Sequence, residues 1–177
     1  MGLDISVFKD VKFIEGGELI DTQDEYSVVD INGVKYEEEQ FYHIYLNPHF
    51  PKQSEGLSEF ILLDENDKWR DYGFRAGSYG GYNQWRRNLA KIAGYQEDGM
   101  ECDEAAWQCE FGPFIELIHF SDCEGAINSK ISKKLLADFE LYEEQAKKED
   151  EWFYKIYQNF KEAFEIAGNK NGVVIFC

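Results

Sequence analysis

Leu3, Ile5 and Val7 alternate with Asp4 and Ser6. This period of two predicts a half-buried strand with Asp4 on the face opposite the apolar side chains. Residues 10–25 contain Gly16-Gly17 and several acids and read as a loop. YSVVDI and KYEEEQFYHIYL then flank Asn32-Gly33. Both turn residues tolerate the positive φ of a tight turn, so the arrangement predicts a β-hairpin. NPHFPKQSEGLSE holds two of the three prolines and reads as an exposed loop, with FILLD after it as a short buried strand.

WRDYGFRAG predicts another strand, ending at Gly77. From Ser78 the pattern changes: Tyr82, Trp85, Leu89 and Ile92 recur at helical spacing, and Gly94 is placed to stop the helix. Residues 96–113 are irregular and acidic, with DEAAWQCE able to form a short helical turn. FIELIHF follows Pro113 as an apolar, strand-like run that breaks at SDCEG. Asn128 or Ser129 can cap a helix through LLADFELYEEQ, and a second helix through WFYKIYQNFKEAFEIAG ends at Gly168. The two read equally well as one long helix broken near 148–151. GVVIFC contains no polar side chain before its last residue and predicts a central strand. The order lacks the strict alternation of a doubly wound sheet. It predicts a single α+β domain over residues 1–177, a mostly antiparallel sheet with helices packed on one face.

Charge changes this picture more than composition does. The 35 acidic and 18 basic side chains leave a net charge of -17, which repels phosphate backbones and excludes nonspecific nucleic-acid binding. No apolar run reaches the roughly 18 residues of a membrane span, and MGLDISVFKDVKF lacks the features of a secretion signal, so a cytoplasmic protein with no membrane contact is expected. Cys102, Cys109, Cys123 and Cys177 then read as free thiols of a reducing compartment. Cys102 and Cys109 are too far apart for the usual zinc spacing, and His119 and Cys123 do not repair it, so no metal or cofactor is expected.

The charge is unevenly spread. All four arginines lie between Arg70 and Arg87, and residues 68–96 hold Lys68, Arg70, Arg75, Arg86, Arg87 and Lys91 against the single acid Asp71. Within that window FRAGSYGGYNQWRR is the first candidate site. A helix start leaves backbone N–H groups free, glycines allow close approach of an anion, and arginine matches phosphate or carboxylate at two points. Arg75, Ser78, Tyr79, Gly80, Gly81 and Arg86 are the candidate ligand-binding residues, with Tyr79, Tyr82 or Trp85 available to stack on a ring. The competing reading puts Tyr82 and Trp85 in the core and the arginines on carboxylates. The window matches neither the Walker nor the dinucleotide glycine pattern.

The second candidate is the strand end His119, Ser121, Asp122 and Glu124. Its carboxylates suit a divalent cation or acid–base work, and hydrolysis by Asp122 and Glu124 is one reading. The same residues are ordinary turn formers, and His119 beside Ile115 and Leu117 also reads as a core side chain. Ion pairs from Arg75 and Arg86 to Asp122, Glu124 or Glu116 would join the two candidates in one crevice. The acidic run ELYEEQAKKEDEW reads as a solvated helix face with Leu135, Phe139, Trp152, Ile156 and Phe160 packed, or as a docking surface for a basic groove.

MGLDISV, FRAGSYGGYNQWRRNLAKIAGY, GPFIELIHFSDCEGAI with KKLLADF after it, and the closing VVIF together resemble a family of small proteins carried by bacteriophages and prophages. The blocks cover about a third of the chain. The family's Gly-Val-Ile-Gly stretch is replaced here by Gly125-Ala126-Ile127-Asn128. The resemblance implies a setting, a phage accessory protein in the bacterial host cell, without assigning residues. With the acidic balance it leads to an expected function: a non-enzymatic inhibitor that binds a host factor, a protein or ribonucleoprotein with a basic surface such as a defence nuclease complex. The alternative is binding or hydrolysis of a phosphorylated small molecule, a nucleotide signal, at the arginine window.

Overall fold

The computed structural model describes residues 2–23, 25–63, 70–96, 99–120 and 124–177. Its main sheet is antiparallel and four-stranded. β1 (Leu3–Phe8) is flanked by β8 (Tyr72–Gly77) and β10 (Val173–Phe176), and β9 (Gly125–Asn128) lies outside β10. Ile5 faces Phe176 across the β1–β10 ladder, which Asp4 and Cys177 extend by exchanging both backbone hydrogen bonds, 2.8 and 3.0 Å. As its all-apolar sequence predicts, β10 is interior and buried along its length.

The two faces of this sheet bury different layers. Leu3, Ile5 and Val7 of β1, Ile127 of β9, and Val174 and Phe176 of β10 join a large core with three helices. These are α1 (Tyr79–Ile92), α4 (Ser129–Leu141) and α6 (Glu151–Asn169). Phe8, Ala126, Val173 and Ile175 face the other way, onto Ile44 and Ile61. There β2 (Lys12–Phe13), β7 (Phe60–Leu62) and β6 (Phe41–His43) form a small antiparallel sheet. A third sheet, β3 (Glu18–Asp21), β4 (Tyr26–Val29) and β5 (Lys35–Glu37), packs through Val28 on Ile14, Phe41 and Phe60. The class is α+β, as expected.

The hairpin at Asn32-Gly33 is present. Asp30 accepts from the N–H groups of Asn32 and Val34 at 2.8 Å each, and Gly33 takes φ +80°. Trp85, Tyr82 and Leu89 of α1 are fully buried, which the helical spacing anticipates. Asn128, of the two candidate caps for α4, is the one that accepts from Ile131 N–H. The C-terminal helical region is interrupted rather than continuous. A short α5 (Glu143–Ala146) follows α4, and Asp150 caps α6 at the expected break.

Three segments differ from the sequence expectation. The supposed loop at residues 10–25 contains β2 and β3, whose backbones are held by β7 and β4 although their own side chains are largely polar or half-exposed. FIELIHF contains a helical turn, α3 (Ile115–Ile118), instead of a strand. With Ile115, Leu117 and Ile118 all buried and only Glu116 polar within the turn, so short a run gives no period that distinguishes the two. Its start is fixed by Phe114, fully buried at φ +57°, whose N–H donates to Asp138 at 2.7 Å. Gly125 to Asn128, read as loop and cap, forms β9. Its Gly125 has φ +148°, and a Cβ there would collide with Phe120.

Candidate functional site

The arginine window is split between surface and interior. Ser78 caps α1, its hydroxyl accepting from Gly81 N–H at 3.1 Å. Tyr79 and Gly80 are exposed, and space beside Gly80 is open. Their N–H groups, like those of any first turn, have no partner within the helix. Arg75 is exposed on β8, folded over Gly2 and paired with Asp4 at 3.5 Å. Arg86 points away from this end: it is 4% exposed and its guanidinium donates to the Ile118 carbonyl and to Asn83 Oδ1. Its carbon lies 5.3 Å from the centre of the Tyr82 ring, and its Nε has no hydrogen-bond partner. Arg75 and Arg86 therefore do not converge on one ligand.

Trp152 joins the helix start unexpectedly. The sequence places it among packed residues, but it is 41% exposed, with its indole alongside Gly77 and Gly81. The signal for it is positional: it stands two residues after the Asp150 cap, in a first turn where side chains project past the helix end. Arg87, the remaining arginine of the helix, pairs with Asp103 at 3.1 Å and Glu101 at 3.8 Å. It anchors α2 (Cys102–Trp107) to α1.

Of the second candidate, Ser121 and Asp122, with Cys123, lie outside the described residues. His119 ends α3 half-buried, its Nε2 bonded to the Ala106 carbonyl at 3.0 Å. Glu124 is exposed, and its backbone carbonyl accepts from Asn47 at 2.9 Å. Glu116, expected to meet an arginine, instead pairs with Lys134, which also holds Asp138 at 2.9 Å. The expected ion pairs to Glu116 and Glu124 are absent among the described residues, where Arg75 has taken Asp4 and Arg86 backbone and amide oxygens. No group of three or more His, Cys, Asp or Glu side chains suited to a metal occurs among the described residues. Cys102, Cys109 and Cys177 are free thiols. No helix of the described residues is long and apolar enough to cross a membrane.

The carboxylates separate into neutralised and free groups. The C-terminal acidic run is largely neutralised: Glu143 meets Lys161 at 2.7 Å, Tyr154 and Gln158 at 3.2 Å, and Glu144 meets Lys147. Lys161 above all holds Glu143 below the usual carboxylate range. The third sheet differs. Between Lys12 and Lys52 the chain carries nine carboxylates and one lysine, Lys35, itself committed to Glu25 at 2.8 Å and Glu37 at 3.2 Å. Glu15, Glu18, Asp21, Glu38 and Glu39 are exposed and form no ion pair among the described residues. Burial, then the charges of Asp21 and Glu38, raise the phenol of Tyr26, and Asp21 stands opposite Tyr26 across the β3–β4 ladder.

Compared with models of known protein families, with curated proteins and with solved structures, the chain matches none.

Proposed function

We propose that this chain is a non-enzymatic binding protein that engages a basic host protein or ribonucleoprotein through its acidic surface, as a phage accessory protein blocking a defence nuclease would. The observation that carries the reading is the third sheet and the short helical turn after it. There, Glu18, Asp21, Glu38 and Glu39, with Glu15 just ahead of the sheet, are exposed and form no ion pair among the described residues, around a single, already committed lysine. Like charges gathered on one small sheet repel each other and weaken the free fold. Complementary charge on a partner relieves that repulsion and steers association.

The test is inhibition and binding with purified basic defence nucleases across a salt series. Binding that weakens steeply with salt, and that is lost in a Glu18→Lys, Glu38→Lys, Glu39→Lys variant, supports the reading. Equal binding by that variant rejects it.

A second reading rests on the helix start, where the exposed Trp152 lies alongside Gly77 and Gly81 and the exposed Tyr79 precedes the open Gly80. A phosphorylated, ring-containing small molecule suits backbone N–H groups flanked by such faces and Arg75. Thermal stabilisation by a nucleotide, removed by Arg75→Ala or Trp152→Ala, would establish it. No stabilisation by any nucleotide in the screen would remove it.

A further inference from the structure

An arginine keeps its charge at any ordinary pH, so a buried one is normally met by a carboxylate. The more exposed Arg75 and Arg87 each have one, Asp4 and Asp103. Arg86 is 4% exposed in a chain with 35 acidic side chains, yet no carboxylate among the described residues pairs with it. What surrounds its charge is neutral. Nη1 donates to the Ile118 carbonyl, Nη2 to the Asn83 amide oxygen, and the Tyr82 ring centre lies 5.3 Å from the guanidinium carbon. Nε is buried and has no hydrogen-bond partner. An unpaired buried donor on a charged group is costly and rare enough to require a specific explanation.

The position of the unpaired donor narrows that explanation. Nε and Nη2 lie along one edge of the guanidinium, an edge that meets both oxygens of a carboxylate or phosphate at two points. Here the edge receives one amide oxygen, from Asn83, and is half used. Asn83 stands three residues before Arg86 on the same helix and is exposed, so its side chain can turn to solvent and uncover the edge. We infer that the Nε–Nη2 edge of Arg86, with Asn83 as its movable cover, is a receptor for a small oxyanion, a carboxylate or phosphate group. The ion neutralises a buried charge and pairs the orphaned Nε, and the depth of Arg86 limits the contact to the oxyanion group itself. The receptor involves neither the start of α1 nor the third sheet, so it depends on neither proposed function.

The test is the thermal midpoint of the full chain in millimolar acetate, phosphate or chloride, at one ionic strength so that screening is equal. At saturation, acetate or phosphate raises the midpoint over chloride by about 2–4 °C. A rise with acetate alone supports a carboxylate ligand, and one with phosphate alone a phosphoryl group. Asn83→Asp supplies two oxygens from within the chain. It melts higher than the wild type in chloride, although it adds a negative charge to -17, and it no longer responds to either oxyanion. Asn83→Ala keeps the fold, because Asn83 is exposed, and retains the response. Equal midpoints in all three salts for the wild type and Asn83→Ala overturn the inference, as does an Asn83→Asp midpoint no higher than that of the wild type. A response that survives in Asn83→Asp places the ion elsewhere and also overturns it. Loss of the response in Arg75→Ala would move the ion to the helix start, overturning this receptor while supporting the nucleotide reading.

Discussion

Arg86 carries a charge into the interior without a carboxylate among the described residues, and its position decides what a substitution does. Truncation to Ala leaves a cavity and an unpaired Ile118 carbonyl, so Arg86→Ala should cost about 2–4 kcal/mol in urea unfolding. A ligand-binding arginine open to solvent would cost within about 0.5 kcal/mol. Glu143 makes a pH prediction. Its carboxyl is held below its unfolded value, so its contribution is complete above about pH 4.5 and is lost as pH falls through the lower folded value. Glu143→Gln should weaken the fold at neutral pH by about 1 kcal/mol and flatten the acid limb of a stability–pH curve. Asp138 has the opposite sign: burial raises its carboxyl, so acidification from neutrality relieves a cost there.

Helix caps show how similar sequence signals carry different structural weight. Asn128 and Asp150 both cap helices through a side-chain oxygen, at 2.8 and 2.9 Å. Asp150 is exposed, whereas Asn128 is buried and its amide also donates to the carbonyls of Lys52 and Glu55. Asp150→Ala should therefore cost about 1 kcal/mol and Asn128→Ala at least twice that, measured by thermal unfolding of both variants. Elements with a strong local pattern were legible: the Asn32-Gly33 hairpin, α1 from its apolar stripe, and β10 from its unbroken apolar run. The strand β9 was not, because Gly125-Ala126-Ile127-Asn128 gains its extended form from pairing with β10, a partner some 45 residues away. Nor was α3, whose geometry is fixed by Asp138 rather than by its own residues. At the site, the sequence identified Ser78 as part of a helix start, but it could not show that Arg75 and Arg86 face opposite environments or that Trp152 remains exposed.

Across the whole molecule, charge and layering pull against each other. A net charge of -17 is held on a fold whose helices cover one face of the central sheet and whose β2–β7–β6 sheet covers the other, with the third sheet packed on that smaller one. Self-repulsion should make the fold firmer as salt rises from about 0.01 to 0.3 M, read as an upward shift of the thermal midpoint, because the Debye length shrinks from roughly 30 to under 10 Å. An unshifted midpoint would mean that the local ion pairs already balance the field. The adjacency of Asp4 and Cys177 has a kinetic consequence. The strands they extend come from opposite ends of the described chain, so the sheet waits on the longest loop closure available to it. A circular permutant that joins these ends through a short linker and opens at Asn32-Gly33 would make the β1–β10 pair a hairpin. It should refold faster than the natural order of segments while reaching the same architecture.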